Sequence, residues 1–329
     1  MATCIGILGI GVQVSDPVLL SEKIRAALAP CRLGQWPTPL EPAPALARAL
    51  GVAALYLKRE DRASARGGGN KVRGLEFLLA GVPPGTVFVT AGGTGSTHCL
   101  GTAVHAAALG HRTVLAQFRQ PDTAESRAVA AACARRAALI VHARGPATLP
   151  LAVLAAWRRA GTLGVRRWIP GGGAHPRAVV GQFLAGLELA AQVAEPPDTI
   201  VLPLGTGGTA AGLGLAVAAL GWGTRVVGVR VAPRLVANGW RTMRLARAAR
   251  HLLADQGVRL PAPRSPEIVN GLGPGYGHPT PEGEAACRLA AEHGLTLDPT
   301  YGAKALALLM ERGTWNVQRV VFWHTFAVP

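Results

Sequence analysis

From Gly51 onward, short apolar runs alternate with stretches long enough to form helices. The runs cover 54–58, 87–90, 113–117, 139–142, 168–170, 200–203, 226–231 and 320–324, and most are bounded by glycine, proline or a polar turn. A strand with one wet face alternates polar and apolar residues. These runs are too uniformly apolar for that, so helices must cover both of their faces. The pattern predicts parallel α/β units. Helices are expected over 72–79, 96–109, 124–135, 149–160, 178–194, 209–219, 241–256, 281–292 and 302–311. The Pro- and Gly-rich stretch 257–277 reads as an irregular crossing or lid, and no internal repeat is present.

The length of 329 residues suits two such domains, and 49% apolar residues suffice for a buried core. Five cysteines without a CxxC pair argue against a disulfide framework or a zinc site, and for the reducing cytoplasm. The net charge of +16 is almost wholly arginine, since Lys23, Lys58, Lys71 and Lys304 are the only lysines. Arg241, Arg244, Arg247 and Arg250 are spaced by three, so on a helix they spiral around it instead of forming one basic face. Nucleic acid is therefore not the expected partner. Nor is a membrane. The apolar start, 1–14, is too short to span one, and six glycines interrupt the longer run 204–222.

Three glycine-rich turns fall where α/β proteins bind ligands, past the carboxyl ends of strands. The first, Gly67-Gly68-Gly69-Asn70-Lys71, places a scarce lysine at a loop mouth. Arginine cannot form a Schiff base, whereas a desolvated lysine can. The second, Gly92-Gly93-Thr94-Gly95-Ser96-Thr97-His98, puts Ser96 at a helix start, where its ordinary role is an N-cap. His98 by itself reads as a packed or capping histidine. The third, Gly205-Thr206-Gly207-Gly208-Thr209, opens a helix and suits a single phosphate monoester: glycines let the backbone approach and the helix end offers N–H groups. No lysine follows it, so it is not a triphosphate loop.

Gly69-Asn70-Lys71-Val72-Arg73 with Leu75-Glu76, and Lys58-Arg59-Glu60-Asp61 before it, resembles the cofactor-lysine segment of the 1-aminocyclopropane-1-carboxylate deaminase and D-cysteine desulfhydrase family. The likeness continues in order through the Ser96 turn, Ile169-Pro170-Gly171-Gly172, the Gly205 turn, Pro274-Gly275-Tyr276-Gly277, Leu297-Asp298-Pro299-Thr300-Tyr301 and Phe322-Trp323-His324-Thr325. These are pyridoxal-phosphate enzymes of the tryptophan-synthase-β-like fold, fold type II. The resemblance implies two α/β domains: residues 1–73 and 169–329 forming a large cofactor-binding domain, and 74–168 a small inserted one. It also implies pyridoxal 5'-phosphate as cofactor, a small amino acid as substrate, and a homodimer. Position by position, Lys71 matches the Schiff-base lysine that shuttles the Cα proton. Gly205, Thr206, Gly207, Gly208 and Thr209 match the phosphate cup, Ser96 the active-site serine, and Tyr276 and Tyr301 the two active-site tyrosines. Asn70, Thr97 and Thr325 are expected beside the cofactor.

The chain also departs from the family. Lysine is common at position 74, where this chain has Gly74; Gln and Asn are common where it has Gly95 and Thr97. Gly302 stands where Glu or Thr is usual, and Phe326-Ala327 where Gly-Gly is. The resemblance implies a lyase performing β-elimination or deamination, as a D-cysteine desulfhydrase does. The changes at 95, 97 and 302 also suit a β-replacement synthase or cyclase. The lost side chains at 74 and 302 would suit a cofactor-free binding protein. With no side chain at 302, Thr325 or a water is expected to face the pyridine nitrogen, which favours chemistry at Cβ over opening a cyclopropane ring.

Overall fold

The computed structural model describes residues 14–311 and 319–326. The expectations for residues 1–13 and for Ala327 lie outside them. The strands are β1 (Leu40–Pro42), β2 (Ala54–Arg59), β3 (Val87–Gly93), β4 (Arg112–Phe118), β5 (Leu139–Ala143), β6 (Arg166–Trp168), β7 (Thr199–Leu204), β8 (Arg225–Arg230), β9 (Glu267–Asn270) and β10 (Arg319–His324). They form a six-stranded sheet in the order β1-β2-β10-β7-β8-β9 and a four-stranded sheet in the order β5-β4-β3-β6. Every pairing is parallel except that of β1 with β2.

The helices are α1 (Pro17–Leu28), α2 (Pro44–Leu50), α3 (Lys71–Leu78), α4 (Thr97–Ala108), α5 (Ala124–Arg136), α6 (Leu149–Gly161), α7 (Pro176–Gln192), α8 (Gly208–Ala219), α9 (Gly239–Ala254), α10 (Pro281–Glu292) and α11 (Gly302–Glu311). Side-chain caps start many of them. Asp16 accepts the N–H groups of Val18 and Leu19, and the Thr123 hydroxyl accepts that of Ser126. Among the described residues no helix is long and apolar enough to cross a membrane. The run 204–222 instead supplies the end of β7, a tight turn and α8, whose Leu213 and Leu215 are buried.

Each expected strand and helix forms, with ends moved by a few residues. The elements α1, α2, β1 and β9 are additional. The stretch 257–277, expected as an irregular crossing, contains β9, an edge strand paired with β8. Its residues Glu267 to Asn270 are too short a run to stand out among prolines and glycines. β6 ends at Trp168 instead of starting there, because Pro170 has no N–H to extend the ladder past Ile169, which still donates to the Val89 carbonyl. In α9, Arg241, Arg244 and Arg247 are exposed, while Arg250 turns inward to donate to the Leu260 carbonyl at 2.7 Å.

The sheet order decides where the motifs meet. β2, β10 and β7 are adjacent and parallel, so their carboxyl ends deliver the Lys71 turn, Thr325 and the Gly205 turn to one edge. The carboxyl end of β3, in the other sheet, brings the Ser96 turn. Helix α3 crosses α7 closely there, and this explains Gly74. A Cβ at Gly74 would lie 2.8 Å from Ala178 Cβ, so a lysine at this position cannot enter without parting the two helices.

Candidate active site

Lys71 opens α3 and faces a cleft of about 310 Å³ that opens to solvent. Leu75, His98, Gly172, Gln182, Gly208 and Thr209 are among its other walls. The remaining lysines are accounted for elsewhere. Lys23 is exposed, Lys58 is paired with Glu188 at 2.5 Å, and Lys304 donates to the Leu272 carbonyl at 2.8 Å. Lys71 is largely withdrawn from water and has no carboxylate or hydrogen-bond partner among the described residues. Burial lowers its amine to about 8.

Asn70 fixes the backbone under that amine. Its N–H donates to the Thr325 carbonyl at 2.9 Å, and its own carbonyl accepts from Gln182 Nε2 at 2.8 Å. Its Nδ2 donates to Thr209 Oγ1 at 2.9 Å. Thr209 therefore accepts from Asn70 and keeps its hydroxyl hydrogen free. The Gly205–Thr209 turn brings α8 to the same cleft. Gly207 holds a left-handed φ of 87°, and nothing lies within 4 Å of the place where a Gly208 side chain would be. The result is an open cradle at a helix N-terminus, where unpaired N–H groups and the helix dipole favour an anion. Thr206 stands beside it, with a long 3.5 Å contact from its hydroxyl to the Gly172 carbonyl.

Ser96 is the N-cap of α4 and accepts the Cys99 N–H at 3.3 Å, so its ordinary structural role is fulfilled. Thr97, buried beside it, lines a second cavity together with Gly95 and Tyr301. The Tyr276 and Tyr301 hydroxyls are 2.5 Å apart. Tyr301 lies next to the cradle, since a Cβ on Gly205 would be 4.0 Å from its ring; a Cβ on Gly93, at the end of β3, would be 3.1 Å from the Tyr276 ring. Thr325 is buried, and its carbonyl is what holds Asn70. The structure thus places Lys71, Gly208 and Thr209 on one cleft and Thr97 and Tyr301 on a second cavity, with Asn70 tied to Thr209 and to the Thr325 carbonyl, and Tyr276 tied to Tyr301.

A family model described as pyridoxal-phosphate dependent enzyme matches residues 31–325. The chain belongs to that family. Its cofactor is therefore pyridoxal phosphate, and its fold is type II. Among solved structures, an ACC deaminase homologue superposes with a TM-score of 0.80 at 28% identity, covering 92% of this chain and 94% of that one. Nocardicin C-9' epimerase of Nocardia uniformis subsp. tsuyamanensis is 34% identical over 82% of this chain and 85% of its own. D-cysteine desulfhydrase of Salmonella choleraesuis is 33% identical over 84% and 85%.

In this pyridoxal-phosphate enzyme, several site residues escaped sequence reasoning. His98 is not merely packed: it walls the cleft beside Lys71. Its Nε2 is 2.9 Å from Thr90 Oγ1, its Nδ1 is buried without a partner, and burial, with the Lys71 charge, lowers its pKa to about 3. Asp298 is buried and accepts the N–H groups of Tyr301 at 2.6 Å and Gly302 at 2.9 Å, which orients the tyrosine. Burial raises its carboxyl to about 6 even against those bonds. Beneath Lys71, Arg73 is locked to Glu60 and Glu188 and stacked on Trp36. All of these stand inside motifs read from the sequence, but burial is what gives them their roles, and for Arg73 so do partners 13 and 115 residues away.

Proposed function

We propose that this enzyme is a lyase acting on a small amino acid, by β-elimination or deamination, with Lys71 holding the cofactor covalently. The observation that carries the reading is the state of Lys71: an amine withdrawn from water, its pKa lowered to about 8 so that far more of it is neutral at physiological pH than of an ordinary lysine, without a counter-charge and facing the same cleft as the Gly208 cradle. Only a neutral amine attacks an aldehyde, so a desolvated lysine is the one prepared to do so. The cradle suits the phosphate, because backbone N–H groups can reach it with no Cβ in between. With no lysine at 74, more of that binding falls on Thr206 and Thr209. A hydrogen bond to a charged group is worth about 1.5–3 kcal/mol. Thr209→Val removes one and strands Asn70 Nδ2. It is expected to weaken cofactor affinity about tenfold or more, read by titrating apo-protein with cofactor. Unchanged affinity would put the phosphate elsewhere.

When bound, the cofactor draws electrons from the substrate Cα. The chain's own residues supply the rest. Lys71 Nζ takes the Cα proton, while Ser96 and the unpaired N–H groups of the first turn of α4 hold the substrate carboxylate. Burial raises Tyr276 to about 12 and raises Tyr301 well above the ordinary phenol value, so the hydroxyl pair stays protonated and can donate to a departing group. The Thr325 hydroxyl, or a water in the space left by Gly302, would face the pyridine nitrogen. An acidic partner at 302 is disfavoured by the fold as well, since a Cβ there would sit 3.1 Å from Asp298 Oδ2. The cofactor-free alternative loses its motive, because the missing side chains at 74 and 302 both have a packing reason.

Borohydride reduction of the loaded enzyme and peptide mapping should place the pyridoxyl label on Lys71. Ammonia and a keto acid should form from a cysteine- or serine-like substrate, with little from 1-aminocyclopropane-1-carboxylate. Label on Lys58 or Lys304, or efficient turnover of the cyclopropane, overturns the reading; a need for a second substrate would favour β-replacement. A second reading, epimerisation at Cα, has the 34% identical epimerase in its favour. Inversion at Cα without ammonia release would select it. The resemblance also supports a homodimer and the small domain over 74–168, and the free thiols Cys31, Cys99, Cys133 and Cys287 support a reducing compartment.

A further inference from the structure

Gln120 follows β4, and no motif singles it out. Its carboxamide nevertheless lines the second cavity, the one shared with Thr97 and Tyr301, in a slot walled by glycines. A Cβ added at Gly93 would meet Gln120 Oε1 at 2.2 Å, and one at Gly95 would meet Nε2 at 2.4 Å. Gly277 borders the slot from the third side, where an added Cβ would lie 3.3 Å from Nε2. A side chain at Gly93 or Gly95 would have to displace the Gln120 carboxamide from this slot. The carboxamide that the family resemblance places at position 95 enters here from another strand.

The slot opens on a solvent-connected recess, about 270 Å³ with the open space at its mouth, that Gln120 shares with Gly95, Thr97, Glu125, Asp298 and Tyr301. Gln120 Oε1 is buried with no hydrogen-bond partner among the described residues. A buried acceptor left unpaired is costly, so it marks a place where a donor is meant to arrive. Glu125 offers a second acceptor and forms no ion pair among the described residues. None of the residues lining this cavity is basic, in a chain with 34 Lys and Arg against 18 Asp and Glu.

The geometry points to Gln120 as the specificity-determining residue, selecting amino acids whose side chain ends in an N–H or O–H donor over those ending in an alkyl group. This rests on the recess being part of the amino-acid site of the enzyme proposed above. A site built to bond a polar group rejects the analogue that lacks it.

Three amino acids of one shape test this: norvaline, homoserine and 2,4-diaminobutyrate, each as both enantiomers. Calorimetric titration of the holoenzyme should show homoserine or diaminobutyrate binding about tenfold tighter than norvaline. Gln120→Leu should erase that preference and leave norvaline binding unchanged. Gln120→Glu, which keeps the acceptor and the shape, should retain the preference for diaminobutyrate. Equal binding of all three by the unaltered enzyme, survival of the preference in Gln120→Leu, or its loss in Gln120→Glu overturns the assignment. Calorimetry reads binding whether or not Lys71 is the cofactor lysine, so failure of that reading is seen separately, as a missing borohydride label.

Discussion

Lys71→Ala is expected to lower kcat by about a thousandfold or more, since it removes both the covalent hold on the cofactor and the carrier of the Cα proton, and general base catalysis alone contributes about 10²–10⁴. The same substitution should not destabilise the fold. The native amine is desolvated and unpaired, which is a cost, not a gain. Its folded pKa of about 8 lies below the ordinary lysine value, so the unfolded chain holds more protons between the two. The penalty is therefore full below pH 8 and is relieved as pH rises from there toward 10.5. Thermal unfolding of the two apo-proteins should accordingly show Lys71→Ala at least as stable as the parent at pH 7, with the gap closing at alkaline pH. Covalent cofactor uptake by the parent should rise with pH and level off above about 8. Retained turnover, or a marked fall in stability, would make Lys71 a structural residue.

The largest effect on stability is expected at Arg73→Ala. Arg73 is 2% exposed and reaches Glu60, which is fully buried, through Nε and Nη2 at 2.7 Å each. Nη2 also reaches Glu188 at 2.7 Å, and the guanidinium stacks 3.9 Å above the Trp36 ring. Burial alone would raise Glu188; the Arg73 and Lys58 charges overcome it and hold it at about 2. Removing Arg73 leaves two carboxylates out of water with Lys58 as the remaining cation. Breaking a buried ion pair on one side costs about 3–5 kcal/mol, against about 0–1 for an exposed pair such as Arg62 with Glu41. Urea unfolding should show that difference between Arg73→Ala and Arg62→Ala. Because Arg73 lies two residues past Lys71 on α3, cofactor should also be released at lower urea. A loss below about 1 kcal/mol would mean that water reaches and screens the network.

Local chemistry made much of this protein readable from its residues. Uniformly apolar runs separated by helix-length segments determine parallel α/β units, because burial on both faces is written along each strand. A lysine scarce in the chain, set after three glycines, and a Gly-Thr-Gly-Gly-Thr turn following a strand determine a candidate amine and a candidate anion cradle. Their physical requirements, positive φ and a free helix end, involve only neighbouring residues.

What those groups face was decided in three dimensions. The sheet order β2-β10-β7 brings the two turns and Thr325 to one edge, and that order is a matter of long-range pairing. The partners of Arg73 are 13 and 115 residues away, so the motif around it shows its position but not the buried ion pairs it makes. Gly74 is a glycine because of Ala178, which α7 lays against it. A side chain's charge, shape and reach belong to its own position. Its desolvation and its partners are set by whichever distant segments the packed fold lays against it.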